Sequence, residues 1–199
     1  EQGSYFVATN ATPATGIIGT AAADGNDDTE NYFHLYNNNT AASGKRIYLD
    51  YLRMQVLTGV GTNGTTTTWV SKTDTANRYT SGGTAITPVN SRADEPTTTG
   101  AVLYAGALVT AAATAQNLVG HGVLRSVIKV LGDQYVWDFG GPAVGAVQSL
   151  ATAGTSICHV YTPHAPVVLS VGQSWMFQIN AASQTVGATF EFELRWWER

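Results

Sequence analysis

The histidines and the cysteine, which could act as bases, nucleophiles or metal ligands, are few, and their spacing does not favour such chemistry. The chain has four histidines and one cysteine. Cys158 and His159 are neighbours in a strand-like run, so their side chains would point to opposite faces and could not pair. The chain also has no His-x-His or His-Glu-x-x-His pattern of the kind that binds zinc. We therefore expect no catalytic residues, no metal site and no cofactor.

Acidic residues cluster between Asp24 and Glu30, where four carboxylates and Asn26 supply oxygen atoms suited to Ca²⁺. The EF-hand spacing is not met, because Thr29 occupies the glycine position and Leu35 the position of the bidentate glutamate. A solvated acidic turn is the preferred interpretation, and an irregular calcium loop stays open as an alternative. A glycosidase carboxylate pair also stays open, because such pairs form in space rather than in sequence.

A glycine pattern at residues 59–64 matches the dinucleotide-binding fingerprint Gly-x-Gly-x-x-Gly. That fingerprint requires a helix immediately afterwards, whose N-terminus faces the pyrophosphate. The residues that follow are Thr65 to Thr68, Trp69 and Val70, which are typical of a strand. We interpret the glycines as a hairpin loop.

Composition limits the partners that the protein could bind. The chain of 199 residues has 10 basic and 14 acidic side chains, a formal charge of −4, and no basic cluster in the sequence that would suggest nucleic acid binding. Residues 100–119 are weakly polar but are interrupted by Gly106, Thr110 and Gln116, so they do not form an apolar membrane span. We expect neither a nucleic acid partner nor a membrane partner.

Alternation of apolar and polar residues is the dominant signal for secondary structure. It is clearest near the C-terminus, where Phe190, Phe192, Leu194 and Trp196 alternate with charged residues and Trp197. Residues 47–56 are apolar on both faces, which predicts a strand covered on both sides. Residues 101–117 are predicted as a strand at their start, with a short helix as the alternative because of their alanines. About ten short strands separated by turn residues predict an all-β sandwich or barrel.

The sequence also predicts how the chain is divided and where its tryptophans lie. Residues 8–29 are poor in core-forming side chains, so we predict an N-terminal arm over residues 1–30 and a β-sandwich domain over residues 31–199. Trp69, Trp137, Trp175 and Trp196 occupy positions that face a core. Trp197 lies on the polar face of the last strand beside Arg199. We favour a subunit contact there over a sugar-stacking platform.

Five segments together resemble virion structural proteins of tailed bacteriophages, of the kind that decorate or cement the head. These segments are residues 6–17, 45–52, 77–90, 165–169 and 190–199. The resemblance implies a jelly-roll-like β-sandwich of about eight to ten strands that assembles as trimers on the capsid surface. It also implies contacts with the major capsid protein and no enzymatic activity. It carries over no functional residues, because such proteins work through surfaces.

Candidate contact residues follow from these expectations. The arm and the last strand should contact neighbouring subunits, and a trimer should cover one face of the strand at residues 47–56. The predicted interface residues are Tyr5, Phe6, Ile17, Ile18, Ile47, Leu49, Tyr51, Trp197 and Arg199. The alternative is a carbohydrate-binding β-sandwich of a phage fibre or adhesin that uses exposed tyrosine and tryptophan. An esterase or glycosidase is the least favoured function, because no catalytic motif is recognisable.

Overall fold

Two β-sheets packed face to face make up the described part of the protein. A computed structural model describes residues 4–18, 30–58, 67–95, 98–111, 116–123, 131–140, 158–161, 166–181 and 189–199. Within these ranges the chain has fifteen strands and one 3₁₀ turn at Ala41–Ser43, and five of the strands have only two or three residues. The strands are β1 Ser4–Thr9, β2 Ile17–Ile18, β3 Glu30–Asn37, β4 Ile47–Thr58, β5 Thr67–Asp74, β6 Tyr79–Ser81, β7 Thr84–Ile86, β8 Val89–Asn90, β9 Ala101–Ala111, β10 Asn117–Val123, β11 Gln134–Asp138, β12 Cys158–Tyr161, β13 Val168–Leu169, β14 Ser174–Ala181 and β15 Thr189–Glu198.

The strand order shows how the chain crosses between the sheets. The first sheet has the order β12-β11-β4-β15-β1-β8, with β13 beside β4 and β2 beside β15. The second sheet has the order β10-β5-β14-β3-β9-β6, with β7 also beside β9. The β11–β12 pair is parallel, whereas the other strand pairs are antiparallel. The all-β sandwich predicted from alternation is confirmed, and the jelly-roll connectivity stays a prediction.

The last strand behaves as its alternation predicts. On β15 every second side chain is buried, beginning with Phe190 and ending with Glu198. Phe192 meets Phe33 of the other sheet edge to face at 4.9 Å between ring centroids. Trp137 and Phe177 make a similar contact at 4.7 Å. The four tryptophans predicted to face inward do so, and they fill the space between the two sheets.

The strand β4 is apolar on both faces for a reason that the sequence pattern does not reveal. Its pairing with β15 shifts register where Arg195 opposes Tyr51 and Trp196 opposes Leu49, so Asp50 is an extra residue. Such a bulge changes the phase of the side chains. Ile47 and Leu49 before it therefore face the core, as do Leu52, Met54 and Val56 after it. The prediction that Ile47 and Leu49 form a subunit contact is wrong, because both are buried within the sandwich.

The first strand is part of the sheet, so the predicted arm is wrong for its first segment. Ser4–Thr9 pairs with β15 on one side, and Phe6 and Val7 pair with β8 on the other. Phe6 is only 1% exposed and stacks on Trp196, so it is a core residue rather than an interface residue. Ile17–Ile18 pairs with the start of β15. Residues 1–3 and 19–29, which hold the rest of the predicted arm and most of the acidic cluster, lie outside the described residues.

The helix alternative for residues 101–117 is wrong over Ala101–Ala111, and residues 112–115 lie outside the described residues. Ala101–Ala111 is a strand that pairs with β3, and a bulge between Asn31 and Phe33 lets both Tyr32 and Phe33 reach the core. The glycine loop at residues 59–64 lies outside the described residues, as do residues 124–130. In the part of the chain that is described, no helix has the length and apolar character that crossing a membrane requires.

Candidate interaction surface

Side chains that point away from the core on three neighbouring strands of the first sheet form one continuous surface. Trp197 on β15 lies opposite Tyr5 on β1 and opposite Tyr48 on β4. Arg195 lies opposite Tyr51 in the same way. We call this surface the aromatic face, and its members are Tyr5, Tyr48, Asp50, Tyr51, Arg53, Glu193, Arg195, Trp197 and Arg199.

Glu193 holds the centre of the aromatic face together. Its carboxylate accepts hydrogen bonds from the Tyr51 hydroxyl, from Arg53 at 2.9 Å and from Arg195 at 2.7 Å. Burial acts to raise the pKa of Glu193, but the Tyr51 hydrogen bond and the charges of Arg195 and Arg53 outweigh burial and lower it. Glu193 is therefore ionised at neutral pH, and its oxygen atoms are already occupied by donors within the protein.

The hydroxyl groups of Tyr5 and Tyr51 both donate hydrogen bonds to carboxylates of the aromatic face. The Tyr5 hydroxyl donates to Asp50 at 2.5 Å. Burial and the Asp50 hydrogen bond both raise the pKa of Tyr5 above its ordinary value. Burial and the Glu193 hydrogen bond raise the pKa of Tyr51 to about 12. Both hydroxyls stay protonated across the physiological range, so neither is poised to act as a base.

The arginines and rings of the aromatic face are stacked on one another. The Arg195 guanidinium carbon lies 5.8 Å from the Tyr5 ring centroid and 5.5 Å from that of Tyr51. The Tyr5 and Trp197 rings are 4.4 Å apart. These distances fall within the range of cation–π and aromatic contacts, which favour this arrangement over freely moving side chains. The surface is therefore largely ordered before any partner arrives.

Comparison with protein-family models, with curated proteins and with solved structures finds no match to this chain. The inference about function therefore depends on the aromatic face and on the other candidate sites of the molecule.

The structure brings together some of the sequence-predicted interface residues and separates the others. Tyr5, Tyr51, Trp197 and Arg199 all belong to the aromatic face. Ile17 is half-buried against the core, whereas the side chain of Ile18 lies outside the described part of the structure. Sequence reasoning missed Tyr48, Asp50, Arg53, Glu193 and Arg195. The polar positions of the last strand could have indicated that Glu193 and Arg195 face away from the core. Their placement beside Tyr5 and Tyr51 could not be predicted, because it depends on the register between strands distant in sequence.

A cleft of about 580 Å³ lies where residues 84–95 cross from the second sheet to the first. About half of the residues that line it are apolar, and its charged groups Arg92 and Glu95 bind each other. Arg92 binds Asp94 at 3.1 Å and Glu95 at 3.3 Å. Glu95 also accepts a hydrogen bond from the Ser4 hydroxyl at 3.2 Å. Among the described residues that line the cleft, Glu95 is the one carboxylate, and it is held by Arg92 and Ser4.

The histidines and the cysteine lie apart from the aromatic face where the structure describes them. His34 is fully buried, and its burial lowers its pKa to about 4. His121 is exposed on β10, and Cys158 is exposed on β12. The side chains of His159 and His164 lie outside the described residues. Among the residues that are described, no three histidine, cysteine, aspartate or glutamate side chains are placed to hold a metal ion.

Proposed function

We propose that the protein is a non-enzymatic structural component of a phage virion that decorates the capsid surface. In this proposal it binds copies of itself, as a trimer, and the major capsid protein of the head. The observation that carries the proposal is the aromatic face, a continuous half-exposed surface of tyrosine, tryptophan and arginine. The resemblance of the sequence to bacteriophage virion proteins is the reason for proposing the major capsid protein as the partner.

The composition and order of the aromatic face both support a protein–protein contact. Tyrosine, tryptophan and arginine are enriched in protein interfaces and supply most of their hot spots. Because Glu193 and the stacked rings already hold the arginines in place, binding would order few additional side chains, which lowers the entropic penalty of association. A shell repeats the same site many times, so modest contacts suffice.

A carbohydrate-binding module is the second candidate, favoured by one observation. Tyr5 and Trp197 present adjacent rings that could stack on a sugar. Against it, Asp50 and Glu193 already accept hydrogen bonds from tyrosine hydroxyls and arginines, so they have little capacity left for sugar hydroxyls. A glycan array separates the two candidates, since specific hits that Trp197→Ala abolishes would favour the sugar module.

The capsid proposal predicts that Trp197→Ala weakens binding to purified heads of the phage that encodes the chain. The measurement is cosedimentation of the protein with the heads, followed by the temperature at which decorated heads rupture. Leu118→Ser is the matched control, because Leu118 is an exposed apolar residue on the second sheet. We expect the control to bind like the wild type. Equal rupture temperatures for bare and decorated heads would contradict the proposal.

A further inference from the structure

We propose that one end of the aromatic face, formed by Arg46, Tyr48, Trp197 and Arg199, binds a carboxylate-bearing segment of the protein partner. We call these four residues the basic corner. Arg199 is the anchoring side chain. The inference rests on the proposed function, because it names the chemistry that the partner must present.

Arg199 and Arg46 differ from the other arginines of the described structure in their ionic partners. Arg53 and Arg195 both bind Glu193. The remaining described arginines, Arg78 and Arg92, bind Asp74, Asp94 and Glu95. Within the described residues, neither Arg199 nor Arg46 has a carboxylate within ion-pair distance. As far as the described residues show, the basic corner therefore holds two arginines without a direct carboxylate partner.

The Arg199 guanidinium contacts two rings and has no hydrogen-bond acceptor among the described residues. Its guanidinium carbon lies 5.6 Å from the ring centroid of Tyr48 and 5.6 Å from that of Trp197. The rings contact the guanidinium and restrain it, but a ring face does not use up its N–H groups in hydrogen bonds. A guanidinium held in this way is suited to bind a carboxylate through two parallel hydrogen bonds.

The backbone fixes the position of the basic corner as well. The Arg46 amide donates to the Arg199 carbonyl at 2.7 Å, and the Arg199 amide donates to the Arg46 carbonyl at 3.1 Å. Both arginines are exposed. Two cations thus lie at one end of a sheet face that is otherwise neutralised by Glu193 and Asp50.

Charge decides between an acidic protein segment and a nucleic acid as the occupant. The whole chain has a formal charge of −4, so a long polyanion would be repelled by most of the molecule. A nucleic acid site normally neutralises several phosphates along an extended basic surface, whereas the basic corner has two arginines. A short segment with one or two carboxylates matches a small basic site with aromatic walls.

The test is a titration of the full chain, labelled with ¹⁵N, with hexaglutamate peptide. The signals followed are the indole N–H of Trp197 and the Nε–H of Arg199. We expect both to shift, and we expect Arg199→Gln to raise the dissociation constant about tenfold, as the loss of a charge-assisted pair predicts. Arg199→Lys should recover only part of the affinity, because it keeps the charge but loses the paired donors.

Arg92→Gln is the control for net charge, because it removes one cation outside the aromatic face. Unchanged affinity in Arg92→Gln together with the loss in Arg199→Gln supports the inference. Equal losses in both variants would overturn it, since they would show a general charge effect. Tighter Arg199-dependent binding of a thymidine hexanucleotide than of hexaglutamate would overturn it in favour of a nucleic acid partner.

The outcomes also separate this inference from the proposed function. Binding to phage heads that Arg199→Gln leaves unchanged would refute the basic corner and leave capsid decoration standing. Peptide binding through Arg199 without any binding to heads would refute capsid decoration and leave the basic corner standing.

Discussion

His34 is a buried ionisable group with no acid beside it in the described structure. It lies opposite Met176 on β14 and Tyr104 on β9, and its ring is 5.8 Å from that of Tyr79. Met176 in turn lies opposite Lys72 on β5. The nearest charged side chain across the strands from His34 is therefore a cation. Within the described part of the chain, neither ring nitrogen of His34 has a well-formed hydrogen bond. The fold therefore holds this histidine neutral, because protonation would place an unpaired charge in the interior.

The first prediction is that His34 makes the protein less stable as the pH falls. Its pKa is about 4 in the folded state and about 6.5 when unfolded, so its contribution is complete above pH 6.5 and is lost progressively as the pH falls toward 4. The free energy of unfolding should fall at a rate that approaches about 1.4 kcal/mol per pH unit over this window. Urea unfolding at several pH values measures it.

His34→Leu is the variant to compare with the wild type, because it removes the titrating group and keeps an apolar side chain of similar size. The free energy of unfolding of this variant should depend less on pH between about 6.5 and 4. His121→Gln serves as the control, since His121 is exposed. Parallel pH profiles for wild type and His34→Leu would show that His34 does not titrate in this way.

At the scale of elements, bulges and side-chain hydrogen bonds determine which side chains of a strand lie on the buried face and which on the exposed face. The alternation of β15 predicted its buried face correctly. The extra residue Asp50 in β4 was not predictable, because a bulge is visible only once the pairing with Arg195 and Trp196 is known. The strand β1 was missed for another reason. Its six residues lie next to a polar run, and their place between β15 and β8 depends on contacts distant in sequence.

Asn10 illustrates such a distant contact, and its removal should destabilise the first sheet. Its side-chain oxygen accepts a hydrogen bond from the Phe192 amide at 2.7 Å, and its nitrogen donates to the Thr15 carbonyl at 3.1 Å. Asn10→Ala would leave the buried Phe192 amide without this partner. We expect the free energy of unfolding to fall by about 1 to 3 kcal/mol.

Chemical denaturation of Asn10→Ala measures this loss, with Asn38→Ala as the matched control because Asn38 has an exposed side chain. The control should change stability by no more than about 0.5 kcal/mol. If both variants unfold at the same denaturant concentration as the wild type, the bridge from Asn10 to β15 does not contribute to stability.

At the scale of the whole molecule, the two sheets leave one outer surface in which aromatic rings and arginines are already ordered. The sequence predicted the fold class and four members of this surface, which are Tyr5, Tyr51, Trp197 and Arg199. It could not predict that Phe6, Ile47 and Leu49 would be buried while their neighbours Tyr5 and Tyr48 lie on the aromatic face. That separation depends on strand register, which shifts each side chain to one face or the other.

The most direct test of the proposed role is hydroxyl-radical footprinting of the protein, free and bound to phage heads, with oxidation read by mass spectrometry. We predict that Tyr48 and Trp197 are protected from oxidation on the heads, because the aromatic face would be covered there. Leu118 on the second sheet should be oxidised equally in both states. Equal oxidation of Trp197 in both states, at full occupancy of the heads, would contradict the account.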